Sequence, residues 1–168
     1  SAASISADDS FKVCGVTRAA DARLAARLGA WAVGLIFVPD TPRFLTLEKA
    51  RRVRAAIPKG VLAVGVFGAS EPGTPALYKK ELKLDGVQVG GEIRLGSRRL
   101  ALLEPRRTAA DRRAGRVPSE SARRRAWKKA ARARRPVVLA GGLNAGNAAS
   151  AAALRPYALD VSSGVETR

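Results

Sequence analysis

Two sets of residues, far apart in the sequence, have the types and spacing to handle a phosphorylated sugar. Near the start, Lys12-Val13-Cys14-Gly15 ends an apolar run on the only cysteine of 168 residues. Near the end, Leu139-Ala140-Gly141-Gly142 and Asp160-Val161-Ser162-Ser163-Gly164 finish two more apolar runs on small-residue turns. A thiolate can take a proton, and glycine turns let backbone N–H groups approach a phosphate closely. The chain has no histidine, so acid–base chemistry falls to Cys, Asp, Glu, Lys or Tyr. A single cysteine forms no internal disulfide.

The elements that must position these residues alternate in type. Phe11 to Cys14 reads as a strand, followed by a helix from an N-cap at Thr17 to Gly29, and Trp31 to Val38 as a strand buried on both faces. Thr46 can cap a helix with Leu47, Ala50, Val53 and Ile57 on one face, and Val61 to Phe67 is a third strand. A short helix near Pro75 to Lys83 leads to a strand at Leu84 to Val89. Strands at Leu100 to Leu103, Pro136 to Ala140 and Ala158 to Val161, with a helix at Asn147 to Leu154, complete the pattern. Repeated strand–helix units imply an α/β fold with a parallel sheet, doubly wound or closed as a barrel, whose strand ends share one face. The length suits a single domain over 11–168, with 1–10 as a disordered tail that lacks the features of a secretory signal. No stretch has the make-up of a membrane span.

The net charge of +17 is concentrated in one segment. Residues 94–135 carry 16 Lys or Arg against Glu104, Asp111 and Glu120, a net of +13, while the remaining residues carry only +4. Charge of this kind invites nucleic acid, but only Trp127 interrupts the basic arm, where single strands want several stacking rings. Arg106 to Pro118 has almost no apolar periodicity and reads as loop or disorder. Ser121 to Arg135 could be helical but is basic nearly all round.

Lys12-Val13-Cys14-Gly15-Val16-Thr17-Arg18, Gly34-Leu35-Ile36-Phe37, Thr41-Pro42-Arg43, Val64-Gly65-Val66-Phe67, Leu84-Asp85-Gly86-Val87-Gln88, Leu139 to Leu143 and Asp160 to Glu166 occur in this order over 11–92 and 136–166. Together they resemble the phosphoribosylanthranilate isomerase family of tryptophan biosynthesis. The resemblance implies a (β/α)8 TIM barrel and a cytoplasmic aldose–ketose isomerase acting on a phosphorylated small molecule. Its reaction is the Amadori rearrangement of N-(5-phosphoribosyl)anthranilate to 1-(2-carboxyphenylamino)-1-deoxyribulose 5-phosphate, without cofactor or metal. It implies Cys14 as general base, its pKa lowered by Lys12 and a helix start, where a lone cysteine would otherwise be a small buried hydrophobe. Glu104 stands where the family has an aspartate as general acid; the alternative is a surface glutamate offsetting arginines. Arg43 matches the arginine that pairs with the anthranilate carboxylate. Lys12, Gln88 and Asp160 match substrate-side positions, with interior ion pairing or hydrogen bonding as the plain alternative. Gly141, Gly142, Ser162, Ser163 and Gly164 match the phosphate loops, or are simply tight turns.

The chain departs from the family pattern in its middle. Between Glu92 and Leu100 there is no room for a helix plus a strand, which predicts a reduced or incomplete barrel with about seven recognisable strands. An open barrel would leave edges unpaired and favour a homo-oligomer. Three functions remain open on sequence: the isomerase, an inactive barrel that still binds anions, and a nucleic-acid binder using the basic arm. A related aminoaldose substrate of histidine biosynthesis also remains open.

Overall fold

The computed structural model describes residues 10–69 and 74–166. Eight strands close into one barrel: β1 (Phe11–Cys14), β2 (Ala32–Ile36), β3 (Leu62–Phe67), β4 (Gly86–Val89), β5 (Glu92–Leu95), β6 (Arg98–Leu103), β7 (Val137–Leu139) and β8 (Ala158–Val161). All neighbouring pairs are parallel except those of β5, which runs antiparallel to both β4 and β6. The expected incomplete barrel is therefore corrected: it is closed, and the missing strand is present in reverse.

The reversed strand explains how so short a chain closes a ring. A parallel crossover needs a helix, whereas antiparallel neighbours need only a tight turn. Gly90-Gly91 and Gly96-Ser97 make two such turns, with Gly90 and Gly96 both at φ +59° in the left-handed region that hairpin turns demand. Within β5 the side chains alternate, Ile93 fully buried inside and Glu92 and Arg94 outside. No edge is left open, so association through unpaired edges loses its basis.

On the outside of this hairpin, charge stands where the other strands carry helices. Arg94 and Arg99 lie directly opposite each other, and Glu92 accepts from Arg94 at 2.9 Å, Arg99 at 3.1 Å and Arg135 at 2.5 Å. These arginines hold Glu92 below the usual carboxylate range, Arg94 and Arg135 most strongly. Part of the basic excess is thus the solvated back of one hairpin.

Helices cover the rest. Helix α1 (Ala19–Arg27) buries Ala22 and Ala25; it starts after Arg18 with no side-chain cap, so the cap expected at Thr17 is not made. Thr46 does cap α2 (Leu47–Ala55), accepting from the Lys49 N–H at 3.3 Å. Helix α3 (Thr74–Glu81) lies against β3 and β4. In the stretch expected as loop, Thr108 and Asp111 cap each other's backbone around a short helix, α4 (Ala109–Arg113). Ser119 caps α5 (Glu120–Trp127), and α6 (Ala148–Ala152) precedes β8. None of the described helices is long and apolar enough to cross a membrane. Ser10, expected in the tail, already touches the barrel, its carbonyl accepting from the Leu159 N–H at 3.0 Å, while 1–9 lie outside the described residues.

Helix α5 is basic on most of its surface and is anchored by one residue. Trp127 is 5% exposed, packs among Val137, Leu139 and Leu143, and its indole N–H donates to the Ala140 carbonyl at 3.0 Å. Trp127→Ala should lower stability by about 3–5 kcal/mol, read as a shift in the urea midpoint, because it removes a large buried ring and orphans that carbonyl. A change below about 1 kcal/mol would mean that α5 is held by something else.

Candidate active site

Side chains pointing into the barrel form two zones. Ala32, Val64, Ile93, Leu100, Leu102, Val138, Ala140 and Ala158 make an apolar cluster. Lys12 adds a charge to the interior. Its ammonium is fully buried and donates to Gln88 Oε1 at 3.0 Å and to both carboxylate oxygens of Asp160 at 3.1 Å. Burial works against this charge, but Asp160 and Cys14 hold the Lys12 pKa above its ordinary value. Burial pushes the Asp160 carboxyl up, against the pull of Lys12. Strands β1, β4 and β8 are tied together through these three groups.

Cys14 follows Lys12 on the same face of β1, two residues nearer the mouth. Its partner across the ladder is Gly34, and a Cβ there would lie 2.9 Å from Cys14 Sγ and 3.3 Å from Lys12 Cε. The glycine therefore makes room for both. Burial pushes the thiol up to about 11; Lys12 and Arg43 pull it down, and Asp160 adds to the rise. The expected lowering by Lys12 exists but is outweighed by burial, so the thiol is neutral at pH 7.

Arg43, from the loop after β2, crosses Gly15 so closely that a Cβ on Gly15 would overlap its side chain. Its guanidinium is held two-pronged by Glu166, Nε to Oε1 at 2.5 Å and Nη2 to Oε2 at 2.8 Å. The pair holds Arg43 charged and Glu166 below the usual carboxylate range. Glu166 was visible in sequence only as the end of a motif. Its role as the carboxylate on Arg43 depends on a contact across 123 residues.

The glycine and serine loops meet as their spacing suggested. Ser162 Oγ donates to the Cys14 carbonyl at 3.0 Å, joining the ends of β8 and β1. Ser163–Val165 form one turn of 3-10 helix, in which Gly164 packs directly on the backbone of Leu143 and Asn144. Gly141 and Gly142 take φ of +95° and +77°, and Asn147 fixes their loop by donating to the Gly142 carbonyl at 2.9 Å and accepting from the Asn144 N–H at 2.9 Å. Among the described residues no acceptor takes the N–H of Gly141, Gly142 or Leu143. Free amides at a glycine turn are donors for an anion.

Glu104 follows β6 and shares the inward register of Leu100 and Leu102, exposed at the mouth beside the Gly141 turn. It lies three strands around the ring from Cys14, on the same face. No group of three His, Cys, Asp or Glu suited to a metal converges among the described residues.

A family model for N-(5'-phosphoribosyl)anthranilate (PRA) isomerase matches residues 11–109 and 123–168. The chain belongs to the PRA isomerase family. It is 38% identical over 179 residues to the N-(5'-phosphoribosyl)anthranilate isomerase of Acidithiobacillus ferrooxidans, covering 93% of this chain and 87% of that protein. The corresponding protein of Azotobacter vinelandii is 35% identical, with 92% and 87% covered. Its fold superposes on the Thermus thermophilus phosphoribosyl anthranilate isomerase with a TM-score of 0.73 at 29% identity, covering 94% of this chain and 89% of that one. A PRA isomerase solved with reduced 1-(o-carboxyphenylamino)-1-deoxyribulose 5-phosphate gives 0.67 at 30% identity, with the same coverage. The chain is thus an isomerase of tryptophan biosynthesis built on a (β/α)8-type barrel.

The raised thiol has a direct consequence for reactivity. Alkylation of Cys14 by iodoacetamide should be slow at pH 7 and accelerate about tenfold per pH unit up to pH 10, since only the thiolate reacts. A rate that levels off by pH 8 would show that the thiol is not raised.

Proposed function

We propose that Cys14 and Glu104 are the proton-transfer pair of PRA isomerisation, with Arg43 on the anthranilate carboxylate and the Gly141–Gly142 and Ser162–Gly164 loops on the phosphate. The observation that carries this is the common mouth of the barrel. Cys14, Arg43, Glu104 and the two joined loops all stand at strand ends on that face.

The chemistry needs few groups. The carboxylic acid of Glu104 gives its proton to the furanose ring oxygen as the C1–O bond breaks, leaving an iminium between C1 and the anthranilate nitrogen. The Cys14 thiolate removes the proton on C2, and the released electron pair forms the C1–C2 double bond of an enolamine while the C1–N π pair returns to nitrogen. Protonation at C1 and loss of the hydroxyl proton at C2 give the ketone. Hydrogen has moved from C2 to C1, with no net oxidation.

Each remaining residue has a place in this scheme. Lys12 has no exposed surface, so it acts on Cys14 rather than on substrate; its charge favours the thiolate that the reaction needs. Gln88 and Asp160, each 8% exposed, hold Lys12 in position, and Asp160 is assigned to a sugar hydroxyl. An incoming anthranilate carboxylate takes over the guanidinium that Glu166 now holds, since both present the same two-oxygen face. The substrate is the phosphorylated aminoaldose, and a cytoplasmic location accords with its pathway.

Turnover monitored through anthranilate fluorescence tests the scheme. Cys14→Ser and Glu104→Gln should each lower kcat by about a hundredfold or more, as expected for loss of a general base or acid. Arg43→Ala should raise KM about tenfold or more, and Arg43→Lys should not restore it, because an ammonium lacks the two-pronged fit. A wild-type protein that folds but shows no turnover would overturn the assignment, and full activity in Cys14→Ser would remove Cys14 from it.

A further inference from the structure

The phosphate loops described so far offer backbone amides but no full positive charge. One side chain of the basic segment lies against them. A Cβ placed on Gly142 would be 2.8 Å from Val117 Cγ1, 3.3 Å from Arg123 Nη1 and 3.4 Å from Pro118 Cδ. Arg123, in the first turn of α5, therefore brings its guanidinium to the glycine whose N–H is free. This placement is fixed: Arg123 Nη1 also donates to the Pro118 carbonyl, and Pro118 and Val117 rest on the same loop.

Among the described residues no carboxylate lies within ion-pair distance of Arg123, whereas its neighbour Arg124 is paired with Glu120 at 2.6 Å. A half-buried guanidinium with donors to spare, aimed at a glycine turn with free amides, is the arrangement that binds a phosphate oxygen. The family model skips 110–122, the stretch that lays Val117 and Pro118 on Gly142. Arg123 itself opens the second matched stretch, 123–168.

We propose that Arg123 is a ligand of the substrate phosphate, contributed by the basic segment to the Gly142 loop. The inference rests on the isomerase reading above, in which those loops hold the phosphate. It assigns a binding role to a segment that otherwise looks like surplus charge.

Steady-state kinetics with inorganic phosphate as a competing ligand, on wild type, Arg123→Gln and Arg123→Lys, tests it. Arg123→Gln should raise KM and the phosphate inhibition constant together, by about tenfold or more, with kcat within about twofold, and Arg123→Lys should recover most of the loss because it restores the charge. An unchanged KM and inhibition constant in Arg123→Gln would overturn the proposal. So would a fall in kcat and thermal stability with phosphate affinity intact, which marks a purely structural arginine. If wild type does not turn over, the isomerase reading fails separately, and the rise in melting temperature on adding phosphate still decides Arg123. A rise in wild type that Arg123→Gln loses supports the contact; an equal rise in both, or none in either, rejects it.

Discussion

The structure depends on one buried charge. Lys12 sits inside the barrel with no solvent of its own; Asp160 from β8 is the main force keeping it ionised, and Gln88 from β4 accepts another of its N–H groups. An ammonium in such a place is costly unless its partners are correctly placed, and removing any one partner would leave the others unsatisfied. Lys12 and Asp160 are ladder partners on β1 and β8, the pair that closes the ring, and Gln88 faces them from β4, so the geometry exists only if the ring is closed. Closure in turn places Cys14 immediately above the charge. The same ammonium that burial makes expensive is the nearest force opposing the rise of the thiol.

That requirement gives meaning to the reversed strand. Four parallel strands up to β4 and three from β6 onward leave a gap that must be filled for Gln88 to face Lys12 across a closed interior. β5 fills it with four residues and two glycine turns, supplying Ile93 to the inner cluster and leaving Glu92 and Arg94 outside. Only the inward residues of β5 have a packing task. Its outer face carries no helix, and there arginines gathered on Glu92 replace apolar packing. The high charge of residues 94–135 thus has at least two structural uses, one on this hairpin and one in the capped helices around Trp127.

What could be read in the sequence follows the range of the interactions. Seven strands were legible because each is a short, mainly apolar run, broken in β1, β4 and β8 only by Lys12, Gln88 and Asp160, and the small-residue loops because glycine and serine end them. Glu92-Ile93-Arg94-Leu95 does not fit a run of parallel strand–helix units; its period-two alternation between Gly90-Gly91 and Gly96-Ser97 is a hairpin signal once antiparallel pairing is admitted. Thr46 was legible as a cap because its partner is three residues away, and Trp127 as an isolated ring, although not as the anchor that makes a basic helix stay. The sign of the Cys14 shift was not legible at all. It is a balance of burial against Lys12, Asp160 and Arg43, and burial belongs to the folded barrel, not to any local motif.

The site already pairs Arg43 with a carboxylate. Glu166 stands on Arg43 as a carboxylate would, so on the proposed assignment an anthranilate carboxylate there would exchange one ion pair for another and gain orientation from the two-pronged fit. The phosphate loops are different. On the proposed assignment their free amides would exchange water for a dianion, and among the described residues the Arg123 guanidinium beside them has no carboxylate to give up. Binding energy should therefore come mainly from the phosphate end, while Arg43 sets the angle of the anthranilate ring. On the proposed assignment, energy drawn from the end remote from the reacting carbons would hold C2 against a thiol that is mostly protonated, so that a small thiolate fraction suffices when it is correctly placed.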